Sequence, residues 1–334
     1  MRFRKSRKRA KTKEIEQEVG HRESEAGSRE AEVGNQQAVV EDQRPESNQQ
    51  GKAEQQAEAE TQPESAPAPV GPPIRVAAVS YLNAAPLVWG LIHGPMRHRF
   101  RVENTLPSQC ADALRAGEAD AGLIPSIEYQ RIDNLKIVPV LSISSSGPVR
   151  SVLLVSRVPL DRIQSVALDT ASRTSACLLE ILFQRHFRIS PRLVPHASDL
   201  KKMLRVCDAA LVIGDPALDS DLAGLQAWDL SEEWKRMTGL PFVFAFWAVR
   251  AEVASPDLVF AFHESALHAI VNLRDIIQQE AQRTGLAPAV VRAYLTENID
   301  YSFGEKNLVG LRRFYSLAQE LGLISGLKPL EFIG

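Results

Sequence analysis

From Ile74 onward the chain alternates short apolar runs of strand length with amphipathic runs of helix length. No other feature restricts its fold as much. Strand candidates are "IRVAAV" (74–79), "FRVENTL" (100–106), "AGLIPS" (121–126), "KIVPVLSIS" (136–144) and "RSVLLVS" (150–156). They continue with "SVALD" (165–169), "RLVPHA" (192–197), "AALVIGD" (209–215) and "FVFAFWAVR" (242–250). Helical runs follow most of them, among them "SQCADALRAGE", "SRTSACLLEILFQRHF", "DLKKMLRVC" and "SEEWKRMTG". This alternation predicts α/β architecture, with mostly parallel sheets covered by helices. After residue 250 the apolar residues recur at helical spacing, as in "DLVFAFHESALHAIVNLRDIIQQEA", and no further strand is expected.

The segment before Ile74 obeys different rules. A basic block, "MRFRKSRKRAKTK", leads into a stretch rich in Glu, Gln, Ala, Ser and Pro and poor in aromatic residues. Such a composition buries too little apolar surface to offset the entropy of ordering, so residues 1–73 are expected to be a disordered low-complexity tail. "EIEQEVG" follows the basic block where a signal peptide would have its apolar core. No run approaches the roughly 18 apolar residues of a membrane span. The expected location is therefore the cytoplasm. The formal charge of -2 on 334 residues gives no global reason to expect nucleic acid as a partner. Cys110, Cys177 and Cys207 form no CxxC pair, and an odd count makes a disulfide framework a poor fit.

Sheets of this class bind small molecules outside the carboxyl ends of their strands. Helix amino termini there present free N–H groups and partial positive charge, which suit anions. The strand ends carry Asn83 in "SYLN", Ser126 in "IPSIEY", and Ser144, Gly147 and Ser151 in "SISSSGPVRS". "SVALD" leads into "TASRTS", where Ser172 or Thr174 can cap a long helix. In "LVIGDPAL", Gly214 eases a tight turn and Asp215 is placed to cap the next helix. These loops read as a hydroxyl- and amide-lined pocket for an oxygen-rich anion. Other chemistries lack their residues. The seven histidines form no HxH or HExxH, and neither GxGxxG, GxxxxGK[ST] nor GxSxG occurs. No metal site is expected.

The ordered set "SYLNAAPL", "AGLIPSIEY", "GPVRSV", "TASRTS", "LVIGDPAL" and "WKRMTGLPFVFAFW" resembles the chorismate dehydratases of the futalosine route to menaquinone. The similarity runs from about Ile74 to near Leu323 and includes "YLTENIDYSFGEKNLVGLRRF"; the tail is outside the pattern. The resemblance implies a two-lobed fold like that of type II periplasmic binding proteins. One lobe would hold residues 74–158 and 250–334, the other residues 159–249. It implies chorismate as substrate, loss of water to give 3-[(1-carboxyvinyl)oxy]benzoate, and no cofactor. Carried over by position, Asn83 is the catalytic amide, and Ser151, Ser172, Arg173, Thr174 and Ser175 contact substrate. Asp215 is a weaker carry-over, while Ser126 and Gly147 enter the substrate-binding set from their places at strand ends. No His or Glu stands in the cleft loops as a base, which leaves water or the substrate's own enolpyruvyl carboxylate to take the ring proton.

Three other readings compete. The sister enzyme of that route, a dihydroxynaphthoate synthase, uses a histidine base, and His196 is the one histidine at a strand end here. A non-catalytic solute-binding protein would bind without turnover and would need export. A ligand-sensing regulatory domain would be expected to follow a helix-turn-helix module, and no such segment precedes Ile74.

Overall fold

The computed structural model describes residues 72–334. The disordered tail expected over residues 1–73 falls, except for its last two positions, outside the described residues. The chain first builds β1 (Ile74–Val79), α1 (Ala85–His93), β2 (Phe100–Thr105), α2 (Pro107–Ala116), β3 (Ala121–Pro125) and β4 (Leu135–Ser145). It continues through β5 (Val152–Ser156), β6 (Ser165–Asp169), α3 (Arg173–Leu182), β7 (Arg192–His196), α4 (Leu200–Val206), β8 (Ala209–Ile213) and α5 (Asp215–Leu218). Then come β9 (Gln226–Asp229), α6 (Leu230–Thr238), β10 (Phe242–Arg250), α7 (Pro256–Val271) and α8 (Leu273–Thr284). The last elements are α9 (Pro288–Ala293), β11 (Asp300–Phe303) and α10 (Glu305–Glu320).

The strands form two sheets. One has the order β11-β4-β10-β3-β1-β2, the other β7-β6-β8-β5-β9. The α/β architecture is as expected, but the strand directions are mixed rather than mostly parallel. Among the described residues, four strand pairs are parallel and five antiparallel. The antiparallel character comes mainly from β5 and β10, the strands next to the two crossovers between sheets. Pairing also moves these strands relative to the expected lobes. β5 lies in the five-stranded sheet between β8 and β9, and β10 lies in the six-stranded sheet between β3 and β4. Both read in sequence as continuous apolar runs because β5 is buried throughout and β10 almost throughout. A run of that kind does not reveal its partner or direction. Two strands have no counterpart in the sequence reading, β9 and β11. Each sits at a sheet edge with half-exposed residues, so neither shows an apolar signature.

One apolar core joins the two sheets. It includes Val76, Leu123, Leu154, Leu178, Trp234, Phe242 and Trp247. Trp234 and Trp247 are fully buried, and the Trp234 indole N–H donates to the Pro241 carbonyl at 3.1 Å. Both are packing residues, as "WKRMTGLPFVFAFW" suggested. Cys110, Cys177 and Cys207 are free and buried, and burial pushes the thiols of Cys110 and Cys177 up to about 12, which keeps them inert. Among the described residues, no helix is long and apolar enough to cross a membrane.

Candidate active site

Carboxyl ends of β1, β3, β6 and β8 meet around a cavity of about 60 Å³. Its walls take Val79, Tyr81 and Asn83 from the β1 turn and Ser151 and Val152 from the start of β5. Ala171 to Ser175 enter from the start of α3, Ile213 and Gly214 from the end of β8, and Phe244 from β10.

The β1 turn is held from two directions. Asp215 Oδ1 accepts from the Leu82 N–H at 2.8 Å, and the Tyr301 hydroxyl donates to the Asn83 carbonyl at 3.0 Å. The Asn83 backbone is thereby fixed, while its side-chain oxygen Oδ1 is buried without a hydrogen-bond partner. An unmet acceptor in a cavity wall is costly unless a ligand donates to it.

The α3 amino terminus forms another part of the wall. Asp169, at the end of β6, accepts the Ala171 N–H through Oδ1 at 2.9 Å, and its carbonyl accepts from Ser172 N–H at 3.1 Å. These bonds shape the turn so that Ser172 becomes the N-cap residue, yet its side chain makes no capping bond. The first intrahelical bond runs from the Ala176 N–H to the Ser172 carbonyl at 3.0 Å. The N–H groups of Arg173, Thr174 and Ser175 have no acceptor among the described residues. Three free donors and the positive end of a helix dipole face the cavity, an arrangement that attracts an anion.

Ser151 is fully buried. Its carbonyl accepts from the Gly214 N–H at 2.8 Å, and its Oγ accepts from the Tyr294 hydroxyl at 2.7 Å. Gly214 itself has φ +66, and a Cβ there would meet the Tyr81 ring at 2.7 Å. Glycine is required at this point for both conformation and space.

The expected site residues divide into two groups. Asn83, Ser151, Ser172, Arg173, Thr174 and Ser175 all line the cavity. Ser126, Gly147 and Asp215 do not. Ser126 lies one layer behind, fully buried, donating to the Val243 carbonyl at 2.8 Å and standing 3.4 Å from Thr174 Oγ1. Gly147 belongs to the crossover loop, its carbonyl accepting from Ser145 Oγ at 3.0 Å. Asp215 is not an N-cap, a place held by Gly214. Its carboxylate joins the Leu82 N–H to the Arg283 guanidinium, the latter at 2.7 Å. Arg173 lines the cavity, but its guanidinium is engaged elsewhere, with Asp112 at 2.7 Å and Glu128 at 2.9 Å. Thr174 Oγ1 accepts from the Ile127 N–H at 3.2 Å, a bond that ties α3 to the loop after β3.

Sequence reasoning missed Tyr81, Tyr294 and Tyr301. Burial holds all three hydroxyls well above the ordinary tyrosine range, with the charges of Asp169 and Asp215 adding to the effect at Tyr81. They are fixed neutral groups at working pH. Tyr81 stood inside a quoted motif, and Tyr294 and Tyr301 both fall in "YLTENIDY", but in sequence each reads as core. Among the described residues, no carboxylate, imidazole or thiol belongs to the cavity wall. His196, the expected base of the sister reaction, is not in that wall, and its Nδ1 pairs with the Ala197 carbonyl at 2.6 Å.

A family model described as menaquinone biosynthesis matches residues 74–320. A chorismate dehydratase of Thermus thermophilus is 34% identical over 271 residues, spanning 75% of this chain and 96% of the relative. A second chorismate dehydratase, of Campylobacter jejuni, is 27% identical over 256 residues, spanning 73% of this chain and 97% of that one. The periplasmic aliphatic sulphonate binding protein SsuA of Escherichia coli superposes with a TM-score of 0.55 at 15% identity, over 79% of this chain and 95% of its own. That last likeness concerns the fold, which is of the periplasmic-binding-protein kind. With a family model spanning almost all of the folded part and a relative matched over nearly its whole length, the chain belongs to the menaquinone-biosynthesis family, among the chorismate dehydratases.

Proposed function

We propose that this protein is a carbon–oxygen lyase that removes water from chorismate to give 3-[(1-carboxyvinyl)oxy]benzoate. The observation that carries the reading is the cavity wall itself. It holds both the free N–H groups of Arg173, Thr174 and Ser175 and the unpartnered Asn83 Oδ1, and among the described residues it contains no side chain able to act as a base near neutral pH. An anionic substrate that brings its own base suits such a wall.

In this reading the ring carboxylate sits on the α3 amino terminus, with Ser172 and Ser175 beside it. Asn83 Oδ1 accepts from the ring hydroxyl, and Ser151 Oγ donates to that hydroxyl's oxygen. The enolpyruvyl carboxylate removes the neighbouring ring proton intramolecularly, where proximity alone supplies a large effective molarity. The C–H electron pair becomes ring π-bonding as the C–O bond breaks. The carboxylate then passes its proton to the departing oxygen, so water leaves and the carboxylate is regenerated. Aromatisation drives the step, and Asn83, being neutral, holds the dianion without repelling it. Ser126 and Asp215 support this arrangement from behind the wall. The two sheets act as lobes around the substrate, with lobe boundaries at the crossovers near residues 146–151 and 230–241.

Chorismate titration followed by ultraviolet absorbance tests the reading. Catalytic protein erases the cyclohexadiene band at substoichiometric enzyme. A protein that only binds leaves the band intact, which would overturn the proposal.

A further inference from the structure

The segment "YLTEN" closes α9 with a wide turn, Tyr294–Asn298, in which the Ile299 N–H reaches the Tyr294 carbonyl five residues back at 3.3 Å. Turns of this width recur at functional sites. The turn begins at Tyr294, 1% exposed, whose hydroxyl meets Ser151 Oγ at 2.7 Å.

The geometry of this contact makes Tyr294 the donor. The phenol has one proton, and it goes to Ser151. The Ser151 hydroxyl has one proton and two lone pairs, and Tyr294 fills one lone pair. No acceptor among the described residues takes the Ser151 proton, and Ser151 is part of the cavity wall. Burial opposes the phenolate, against the smaller opposing effect of hydrogen bonding to Ser151 and the Asn83 side chain, so Tyr294 keeps the proton it donates.

We infer that Tyr294 is a positioning residue that occupies the inward lone pair of Ser151 and so turns the Ser151 proton into the cavity, toward the departing oxygen of the substrate. The inference rests on the dehydratase reading of the site. It adds a residue that touches no substrate and acts through another. Ser151 donates a hydrogen bond and keeps its proton, and the atoms of water come from the substrate alone. A donor chain of this kind also strengthens its last member, because each hydrogen bond polarises the next.

The test compares Tyr294→Phe, Ser151→Ala and the double variant in steady-state turnover of chorismate, per folded protein as judged by near-ultraviolet circular dichroism. Tyr294→Phe is expected to lower kcat by about tenfold, the effect of one lost hydrogen bond, with KM changed by less than about threefold. Ser151→Ala is expected to lose on the order of 10²-fold in kcat, and the double variant no more than Ser151→Ala alone, the non-additivity of a residue that acts through Ser151. Replacing Tyr294 with p-aminophenylalanine, which retains a donor of similar shape, should recover most of the loss. That replacement also decides the matter should Tyr294→Phe fail to fold, since a folded p-aminophenylalanine protein as slow as Ser151→Ala overturns the inference. Wild-type kcat in Tyr294→Phe, or a double variant that loses the product of both factors, overturns it while leaving the dehydratase reading intact. A wild-type protein inert toward chorismate overturns the reading and this inference with it.

Discussion

Asn83 and Ser175 answer different questions about the cavity, one about reaction and one about binding. Asn83→Ala removes an acceptor that has no protein partner, so the fold should not suffer and chorismate should still bind. Its kcat is expected to fall on the order of 10²-fold or more, the range for a preorganised polar contact. Unchanged kcat would reduce Asn83 to a turn residue. Thr174 and Ser175 should then separate. Thr174 Oγ1 already accepts from the Ile127 N–H at 3.2 Å, so Thr174→Val is expected to lower the melting temperature. Ser175 lines the cavity with no side-chain partner of its own among the described residues, so Ser175→Ala should raise KM about tenfold at unchanged melting temperature. The reverse pattern would move the anion site off Ser175. At this scale the sequence made Asn83, Ser151 and Ser172 to Ser175 legible because they stand at strand ends. It could not show depth. Ser126 stands at a strand end as well, yet it packs one layer behind Thr174, and Asp215 turned away to hold Leu82 and Arg283.

At the level of elements, the site depends on turns more than on helices. The β8–α5 turn brings Gly214 against the Tyr81 ring and lets Asp215 hold the β1 turn that carries Asn83. Gly214→Ala places a Cβ at φ +66 and 2.7 Å from that ring. The expected cost is about 1–3 kcal/mol of strain, visible as a lower melting temperature, with a drop in kcat as Tyr81 and the Asn83 turn shift. A variant with the wild-type melting temperature would show that the turn has room after all. The elements themselves were largely readable from apolar spacing. Those missed, β9 and β11, are short edge strands whose exposed residues lack the pattern. The wide turn at Tyr294 was also hidden, since its residues suit an ordinary helix.

Across the whole molecule, the two sheets are joined by charge as well as by the apolar core. Arg173 on α3 reaches Asp112 on α2 at 2.7 Å, and its hydrogen bond, reinforced by the charge of Arg115, holds the Asp112 carboxyl below its ordinary value of 3.8. A carboxylate depressed by folding contributes stability above its unfolded value, and that contribution is lost as pH falls through the folded value. The melting-temperature gap between wild type and Asp112→Asn should therefore be present near neutral pH and shrink as pH drops below 3.8. With the Asp112 side chain 49% exposed, the gap should be small. A gap independent of pH would remove the ion pair from the account. The pairing of β5 and β10 across the crossovers is the large-scale feature the sequence concealed, because a buried strand looks the same whichever sheet it joins. The central claim is that this cavity, without a side chain of its own able to take a proton near neutral pH, dehydrates chorismate. The most direct measurement is mass spectrometry of the product after incubating purified protein with chorismate. The account predicts a single product lighter than chorismate by one water, with the enolpyruvyl group still attached to an aromatic ring. Recovery of unchanged chorismate, or of a product that has lost the enolpyruvyl group, would contradict it.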